Sequence, residues 1–253
     1  MTNPFKRIAI ITGATSGIGE ATARAFLEDG FGVIGNGRNK PRLKELEKEF
    51  GKAFHGVAGD AADEQVVDSL FEKAESHFGR PADIVVANAG RGLGGTVSTV
   101  DMEEFREVLN INVTGTLYLL KKASEKLVAL QDGTYPDSAA DIVILGSTVG
   151  RHISPFSTAY GSTKFAVHAL AEGLRREIGP KGVRVTLVEP GVVISKFQET
   201  AGYSEKLIKD FHQKFGPVIY GYDVADAIHF TVTRPPHVHI GDFVIRSTRQ
   251  EYP

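Results

Sequence analysis

Short runs of β-branched and apolar residues alternate along the chain with longer segments in which apolar side chains recur every three or four positions. The run 8–12 predicts a buried strand. Beyond it, Ile18, Ala21, Thr22, Ala25 and Phe26 fall at i, i+3, i+4, i+7 and i+8, one face of a helix. Positions 32–36 predict the second strand. A helix follows with Leu43, Leu46 and Phe50 inward and Pro41 in its first turn, where the missing N–H removes no helical bond. The third strand is predicted at 54–58, and Val67, Leu70, Phe71 and Ala74 mark the next helix. After a strand at 84–87, Asp101 with Glu104 resembles a capping box and predicts one long helix to about residue 130. A strand at 142–146, a helix over 157–178 and strands at 183–189 and 243–246 complete the pattern.

These strands read as continuous apolar runs, the mark of a parallel sheet covered on both faces. Right-handed crossovers then predict a doubly wound α/β domain, a Rossmann arrangement of about seven strands with helices on both sides. No repeat or Pro/Gly-rich linker divides the chain, so a single domain over 1–253 is expected. The stretch 192–217 breaks the rhythm and carries Phe197, Tyr203, Phe211 and Phe215. It predicts a small helical lid over the carboxyl edge of the sheet, where ligands bind in such folds.

Composition narrows the chemistry. The 253 residues carry a net charge of -2 and are 42% hydrophobic and 24% charged, as in an ordinary globular protein. Nothing basic suggests nucleic acid, and no polybasic run suggests an anionic membrane. The absence of cysteine excludes disulfides, thiolate metal sites, iron–sulfur clusters and thiol nucleophiles. The run 8–12 is too short for a secretion signal and no stretch is long enough to span a bilayer, so a cytoplasmic location is expected.

Between the first strand and first helix lies Thr12-Gly13-Ala14-Thr15-Ser16-Gly17-Ile18-Gly19. Glycines there let the backbone approach a pyrophosphate, and the helix start offers free N–H groups. A glycine cluster alone is also compatible with a purely structural turn; its place after the first strand favours the nucleotide. An NAD-selective site usually ends its second strand with a carboxylate for the ribose 2′-OH. Here the strand runs into Gly35-Asn36-Gly37-Arg38. The Arg38 fork suits a 2′-phosphate, which predicts NADP(H) with Arg38 as selector, against the plain alternative of a solvated surface arginine.

Tyr160 and Lys164 stand at i and i+4 on one helical face. A phenol can protonate a forming alkoxide, and a nearby ammonium favours its ionised form. Tyr118 and Lys122 repeat the same spacing, so spacing alone does not decide. Context does: Ser147 follows the fifth strand and precedes Tyr160, whereas Tyr118 lies within a long helix with no such serine before it. Tyr118 and Lys122 are read as ordinary packing and surface charge. Ser147 either bonds backbone at a strand end or, with Tyr160, orients a substrate oxygen.

Taken in order, these motifs resemble the short-chain dehydrogenase/reductase family over nearly the whole chain. The resemblance implies that Asp60-Ala61 contacts the adenine and that Asn88-Ala89-Gly90 is the family's N-A-G signature. It aligns Asn112 with the helix asparagine and Pro190-Gly191, with Val193 beyond, with the segment beside the nicotinamide. Ser195 stands where a Thr often bonds the carboxamide. The implied reaction is hydride transfer between nicotinamide and a carbonyl or alcohol carbon. In it Ser147 and Tyr160 bind the oxygen and Tyr160 moves the proton, while Lys164 bonds the ribose and Asn112, through its helix backbone, holds a water that links Lys164 to solvent. Hydrogen bonds do this work, so no metal is expected.

The tail 238–250 resembles the branch of NADP-dependent carbonyl reductases, alcohol dehydrogenases and hydroxy-acid or serine dehydrogenases. Substrate candidates lie in the loop 91–96, the stretch 151–156 and the lid. Phe156 and Phe197 favour an apolar or aryl carbonyl; Arg91, Arg151 and His152 would instead hold a carboxylate. The expected function is NADP(H)-dependent reduction of a ketone or aldehyde, with 3-hydroxy acid or serine oxidation as the alternative. A non-catalytic NADP-binding regulator is the alternative from another class, disfavoured by the presence of Ser147, Tyr160, Lys164 and Asn112 together. The resemblance further implies a homotetramer or dimer built through the helices at about 103–130 and 157–178.

Overall fold

The computed structural model describes residues 4–195 and 197–252, so positions 1–3 and 253 of the expected domain and position 196 of the expected lid lie outside the described residues. The chain runs β1 (Ile8–Ile11), α1 (Gly17–Glu28), β2 (Gly32–Gly37), α2 (Lys40–Phe50), β3 (Phe54–Ala58), α3 (Glu64–Phe78) and β4 (Ile84–Ala87). It continues through α4 (Met102–Leu109), α5 (Thr116–Gln131), β5 (Ala140–Leu145), α6 (Thr158–Ile178) and β6 (Val183–Pro190). The lid region holds β7 (Val193–Ile194), α7 (Phe197–Thr200), α8 (Glu205–Phe215) and β8 (Ile219–Tyr220), followed by α9 (Gly221–Val232) and β9 (Asp242–Ile245).

Seven strands form one sheet in the order β3-β2-β1-β4-β5-β6-β9, every neighbouring pair parallel. The order reverses between β1 and β4, so their carboxyl ends diverge into a crevice. Each face of the sheet has its own apolar core. On one, Leu70 and Phe71 of α3, Leu120 and Leu127 of α5, and Val167 of α6 pack on Ile8, Val85 and Ile142. On the other, Phe26 of α1, Leu46 of α2 and Ile228 of α9 pack on Ala9, Val86 and Val143. The doubly wound fold expected from the apolar runs is the fold observed.

Three details differ from the pattern-based expectation. The first is α9, which lies in a stretch where no element was expected and packs Val224 and Ile228 into the second core. The buried face of α1 comprises Gly19, Thr22, Ala23, Phe26 and Leu27. Thr22 and Phe26 are inward as expected, but Ala21 and Ala25 are only partly buried. Alanines fit either side of a helix, and Ile18, partly buried, packs against the core while also bordering the ligand crevice. The expected long helix is interrupted by a π-helical segment at Asn110–Gly115, which divides α4 from α5. Widened turns of this kind recur at functional sites. Asp101 caps α4, accepting from the Glu103 and Glu104 amides at 2.8 and 3.0 Å. The Glu104 carboxylate turns to Arg91, 3.5 Å away, in place of closing a capping box. Among the described residues no helix is long and apolar enough to cross a membrane.

Candidate active site

The turn from β1 into α1 is shaped by glycine. Gly13 and Gly17 take φ of 68° and 56°, the left-handed region that side chains with a Cβ avoid. A Cβ on Gly19 would collide with the Gly13 carbonyl and the Asn88 amide. Ser16 precedes α1 without a side-chain capping bond, which leaves first-turn N–H groups available to an anion. Asn88 braces the turn: its Nδ2 donates to the Thr12 carbonyl at 2.8 Å, and the Asn88 and Ala89 amides donate to Thr12 Oγ1 at 3.1 and 3.0 Å.

At the end of β2, Asn36 is buried and donates to the Val57 and Gly59 carbonyls, which stitches β2 to the β3 exit. Arg38 just beyond is exposed; its carbonyl accepts from the Lys40 amide at 3.1 Å, and among the described residues its guanidinium makes no hydrogen bond or ion pair. Asp60 accepts from the Ala62 amide at 3.0 Å. Arg38, Asp60, Ala61, Gly13, Thr15, Ser16, Gly17 and Ile18 line one cavity of about 1570 Å³ that continues past Asn88, Ala89 and Gly90 to Ser147, Tyr160 and Lys164. Pro190, Gly191, Val193 and Ser195 border it from the β6 side. A turn shaped by glycines, a helix amino end and a cation at the β2 exit fit a dinucleotide phosphate chain and its ribose.

The reactive end is assembled by β5 and α6. Ser147 leaves β5 with its amide donating to His168 Nε2 at 3.3 Å and its Oγ accepting weakly from the Val149 amide at 3.4 Å. That long capping bond leaves the hydroxyl directed to the cavity it lines. Tyr160 is 7% exposed, its ring centroid 5.9 Å from that of Phe197. Burial pushes its phenol well above the usual range, the Tyr203 phenol adds to the rise, and a hydrogen bond with Ser147 draws it back. Lys164 is also buried, and its Nζ donates to the Leu145 carbonyl at 2.7 Å. Burial alone lowers this amine to about 8. The expected pull of Lys164 on Tyr160 is therefore not what sets the phenol here: the ammonium is tied to a carbonyl at the strand end.

Asn112 sits in the π-helical segment, 1% exposed. Its Oδ1 accepts from the Arg91 amide at 2.9 Å, while its Nδ2 donates to the Arg91 carbonyl at 2.9 Å and to Thr163 Oγ1 at 3.1 Å. The side chain thus faces protein, and its neighbours Asn110 and Ile111 line the cavity. The second Tyr–Lys pair lies elsewhere. Lys122 bridges to Asp68 at 2.6 Å and Tyr118 bonds Glu64, an exposed clamp between α5 and α3.

The substrate candidates divide. Phe156, 80% exposed, and Phe197 line the cavity with Tyr203, Leu207 and Phe211 of the lid. The structure places the cationic candidates differently from one another. Arg91 lines the cavity, but its guanidinium is engaged by Glu107 and Glu104. Arg151 does not line it; the guanidinium holds buried Glu189 at 2.8 Å and Asp242 at 2.9 Å. His152 is exposed and also outside the lining. Charged side chains of that stretch satisfy neighbours at the sheet end, leaving its aromatic member for the cavity. Two groups were missed. Glu251 and Tyr252 border the cavity, with the Tyr252 hydroxyl on the Ile153 carbonyl, a long-range contact with no local signal. His168, one turn beyond Lys164, had a signal in its i+4 spacing.

The short chain dehydrogenase family profile matches residues 7–206. A serine 3-dehydrogenase of Rhizobium radiobacter is 33% identical over 96% of this chain and 94% of that protein. A solved serine dehydrogenase, in its closed form with NADP+, superposes with a TM-score of 0.85 at 27% identity, covering 97% of this chain and 96% of that one. A 3-ketoacyl-(acyl-carrier-protein) reductase from Brucella melitensis, solved with NADH, gives a TM-score of 0.86 at 27% identity over 97% and 98% of the two chains. Profile, fold and cavity agree: the chain belongs to the short-chain dehydrogenase/reductase family and is a nicotinamide-dependent oxidoreductase on a Rossmann-like domain.

Proposed function

We propose that the protein is an NADP(H)-dependent oxidoreductase interconverting an apolar ketone or aldehyde and its alcohol. One observation carries the reading: a single cavity joins the glycine cradle and Arg38 to Ser147 and Tyr160 beneath aromatic lid residues. Asp60 and Ala61 would flank the adenine, Arg38 the 2′-phosphate, and residues 13–19 the pyrophosphate. Asn88, Ala89, Gly90, Pro190, Gly191, Val193 and Ser195 would border the nicotinamide half.

Ser147 and Tyr160 hold the substrate oxygen in this reading. A nicotinamide bound beside them supplies the hydride that the carbonyl carbon receives. Tyr160 gives its phenolic proton to that oxygen and regains one from solvent. The raised phenol keeps its proton at neutral pH, which suits the acid needed for reduction. Lys164 would bond ribose hydroxyls, and its ammonium, once turned from the Leu145 carbonyl, would favour the phenolate required for alcohol oxidation. Asn112 keeps the widened turn in place, the support a proton-relaying water there would need.

Oxidation of a serine-like or 3-hydroxy acid is supported by the likeness to serine dehydrogenases. Against it, Arg91 and Arg151 already hold carboxylates. The exposed apolar side chains Leu109, Leu117 and Phe165 on α4, α5 and α6 support a homo-oligomer formed through those helices. Arg38→Asp should weaken NADPH binding at least about tenfold more than NADH binding; equal losses would remove Arg38 as selector. Tyr160→Phe should still bind NADPH yet lose about a hundredfold or more in turnover. A panel of aryl ketones and hydroxy acids, run with both cofactors, separates the two substrate readings.

A further inference from the structure

The turn that presents Ser147 is held from behind by a histidine. His168 lies one helical turn after Lys164 on α6, and its Nε2 accepts the Ser147 amide at 3.3 Å. An amide can only donate, so Nε2 carries no proton and the ring hydrogen sits on Nδ1. Nδ1 faces Glu189 Oε2 at 3.8 Å. Glu189 itself is fully buried at the end of β6 and is gripped by the Arg151 guanidinium, with Nε 2.8 Å from Oε2. The ring also lies against both sides of the Ser147 turn: a Cβ on Gly146 or Gly150 would run into its Nε2 edge.

We propose that His168 is a positioning residue for Ser147: the neutral imidazole, aimed by Glu189, holds the backbone that carries the substrate-binding hydroxyl. The inference rests on the proposed role of Ser147 and deepens it. Lys164 and His168, on one face of α6, fasten consecutive parts of the same strand exit, Lys164 through the Leu145 carbonyl and His168 through the Ser147 amide. Protonation of His168 would set two N–H groups against each other and release the turn.

The charged groups facing the ring are Glu189 on β6, Lys164 on α6, Arg151 after β5 and Asp242 on β9. Burial, with Lys164 and Arg151, holds the imidazole below its usual range, outweighing Glu189 and Asp242. It is therefore neutral at physiological pH and takes up a proton only as the medium becomes acidic. Tyr160, displaced upward, and Lys164, near 8, titrate on the alkaline side. An acidic loss of turnover that disappears in a non-titrating His168 variant thus points to His168.

The test measures kcat, KM and NADPH affinity against pH for His168→Leu and His168→Gln, beside Ser147→Ala and Tyr160→Phe. His168→Leu should lower kcat about tenfold with NADPH affinity unchanged, the scale of one lost positioning bond. His168→Gln keeps an acceptor that does not titrate, so turnover should recover and the acidic limb flatten. Wild-type turnover in His168→Leu, or an unchanged acidic limb in His168→Gln, overturns the proposal. If the leucine variant does not fold, the glutamine variant decides it by its pH profile. Retained activity in Ser147→Ala and Tyr160→Phe would instead sink the parent reading.

Discussion

Lys164 shows how a single residue trades stability for chemistry. Its amine is buried and lowered from 10.5 to about 8. In the unfolded chain the same lysine holds its proton to about 10.5, so between those values the unfolded state binds more protons and stability rises with pH. Below about pH 8 the buried ammonium costs the fold an amount on the order of 3 kcal/mol, offset in part by the bond to Leu145. Lys164→Met should therefore stabilise the cofactor-free protein at pH 7 by about 1–2 kcal/mol while abolishing turnover. Urea midpoints at pH 7 and pH 10 check this: the advantage of the methionine variant should shrink at the higher pH. The same residue shows the limit of local spacing. Tyr160/Lys164 and Tyr118/Lys122 are indistinguishable as i, i+4 pairs, yet one lines the cavity and the other clamps two helices at the surface.

At the scale of elements, the π-helical segment and the lid set the geometry. The interruption between α4 and α5 coincides with Asn112, whose amide satisfies both the N–H and the C=O of Arg91. Asn112→Ala would leave those backbone groups without this partner, and a loss of about 2–3 kcal/mol is expected in chemical denaturation, with a fall in turnover. The capping pair Asp101 and Glu104 marks only where a helix begins and gave no warning of a widened turn further along. The lid was recognised from its clustered aromatics and its break in rhythm. Which of its side chains turn inward depends on the pitch of α8, where Leu207 and Phe211 share the cavity face. Phe211→Ala should raise KM for an aryl ketone about tenfold and leave NADPH affinity unchanged, as a side chain contacting substrate alone would.

The whole molecule is a sheet gripped by two apolar layers and tied at the amino edge of its strands by buried charge. Asp141 at the start of β5 accepts from Arg184 of β6 at 2.7 and 2.8 Å and from Arg7, just before β1, at 2.7 Å. Arg7 also reaches Asp83, ahead of β4, at 3.2 Å. Asp141→Ala would leave the buried Arg184 guanidinium with no carboxylate and Arg7 with Asp83 alone, with an expected cost of about 3–5 kcal/mol measured by thermal or urea unfolding. The cluster lies at the sheet end opposite the crevice, so cofactor affinity of the folded variant should be preserved.

Most of the elements, the parallel doubly wound sheet and the glycine turn were legible in the chain, because periodicity and loop chemistry are local properties that neighbouring residues write together. Ser147, Tyr160 and Lys164 stood out only through their order along the chain and the family resemblance, and α9 and the widened turn before α5 gave no signal. Long-range placement was not. The commitment of Arg91 and Arg151 to carboxylates, the approach of the C-terminal Tyr252 to the cavity, the turn of Lys164 toward Leu145 and the support of Ser147 by His168 join residues far apart in sequence or separated by a crossover. Such contacts exist only after two apolar layers have brought strand ends and helix starts to one edge, since a side chain chooses its partner from what packing leaves within reach.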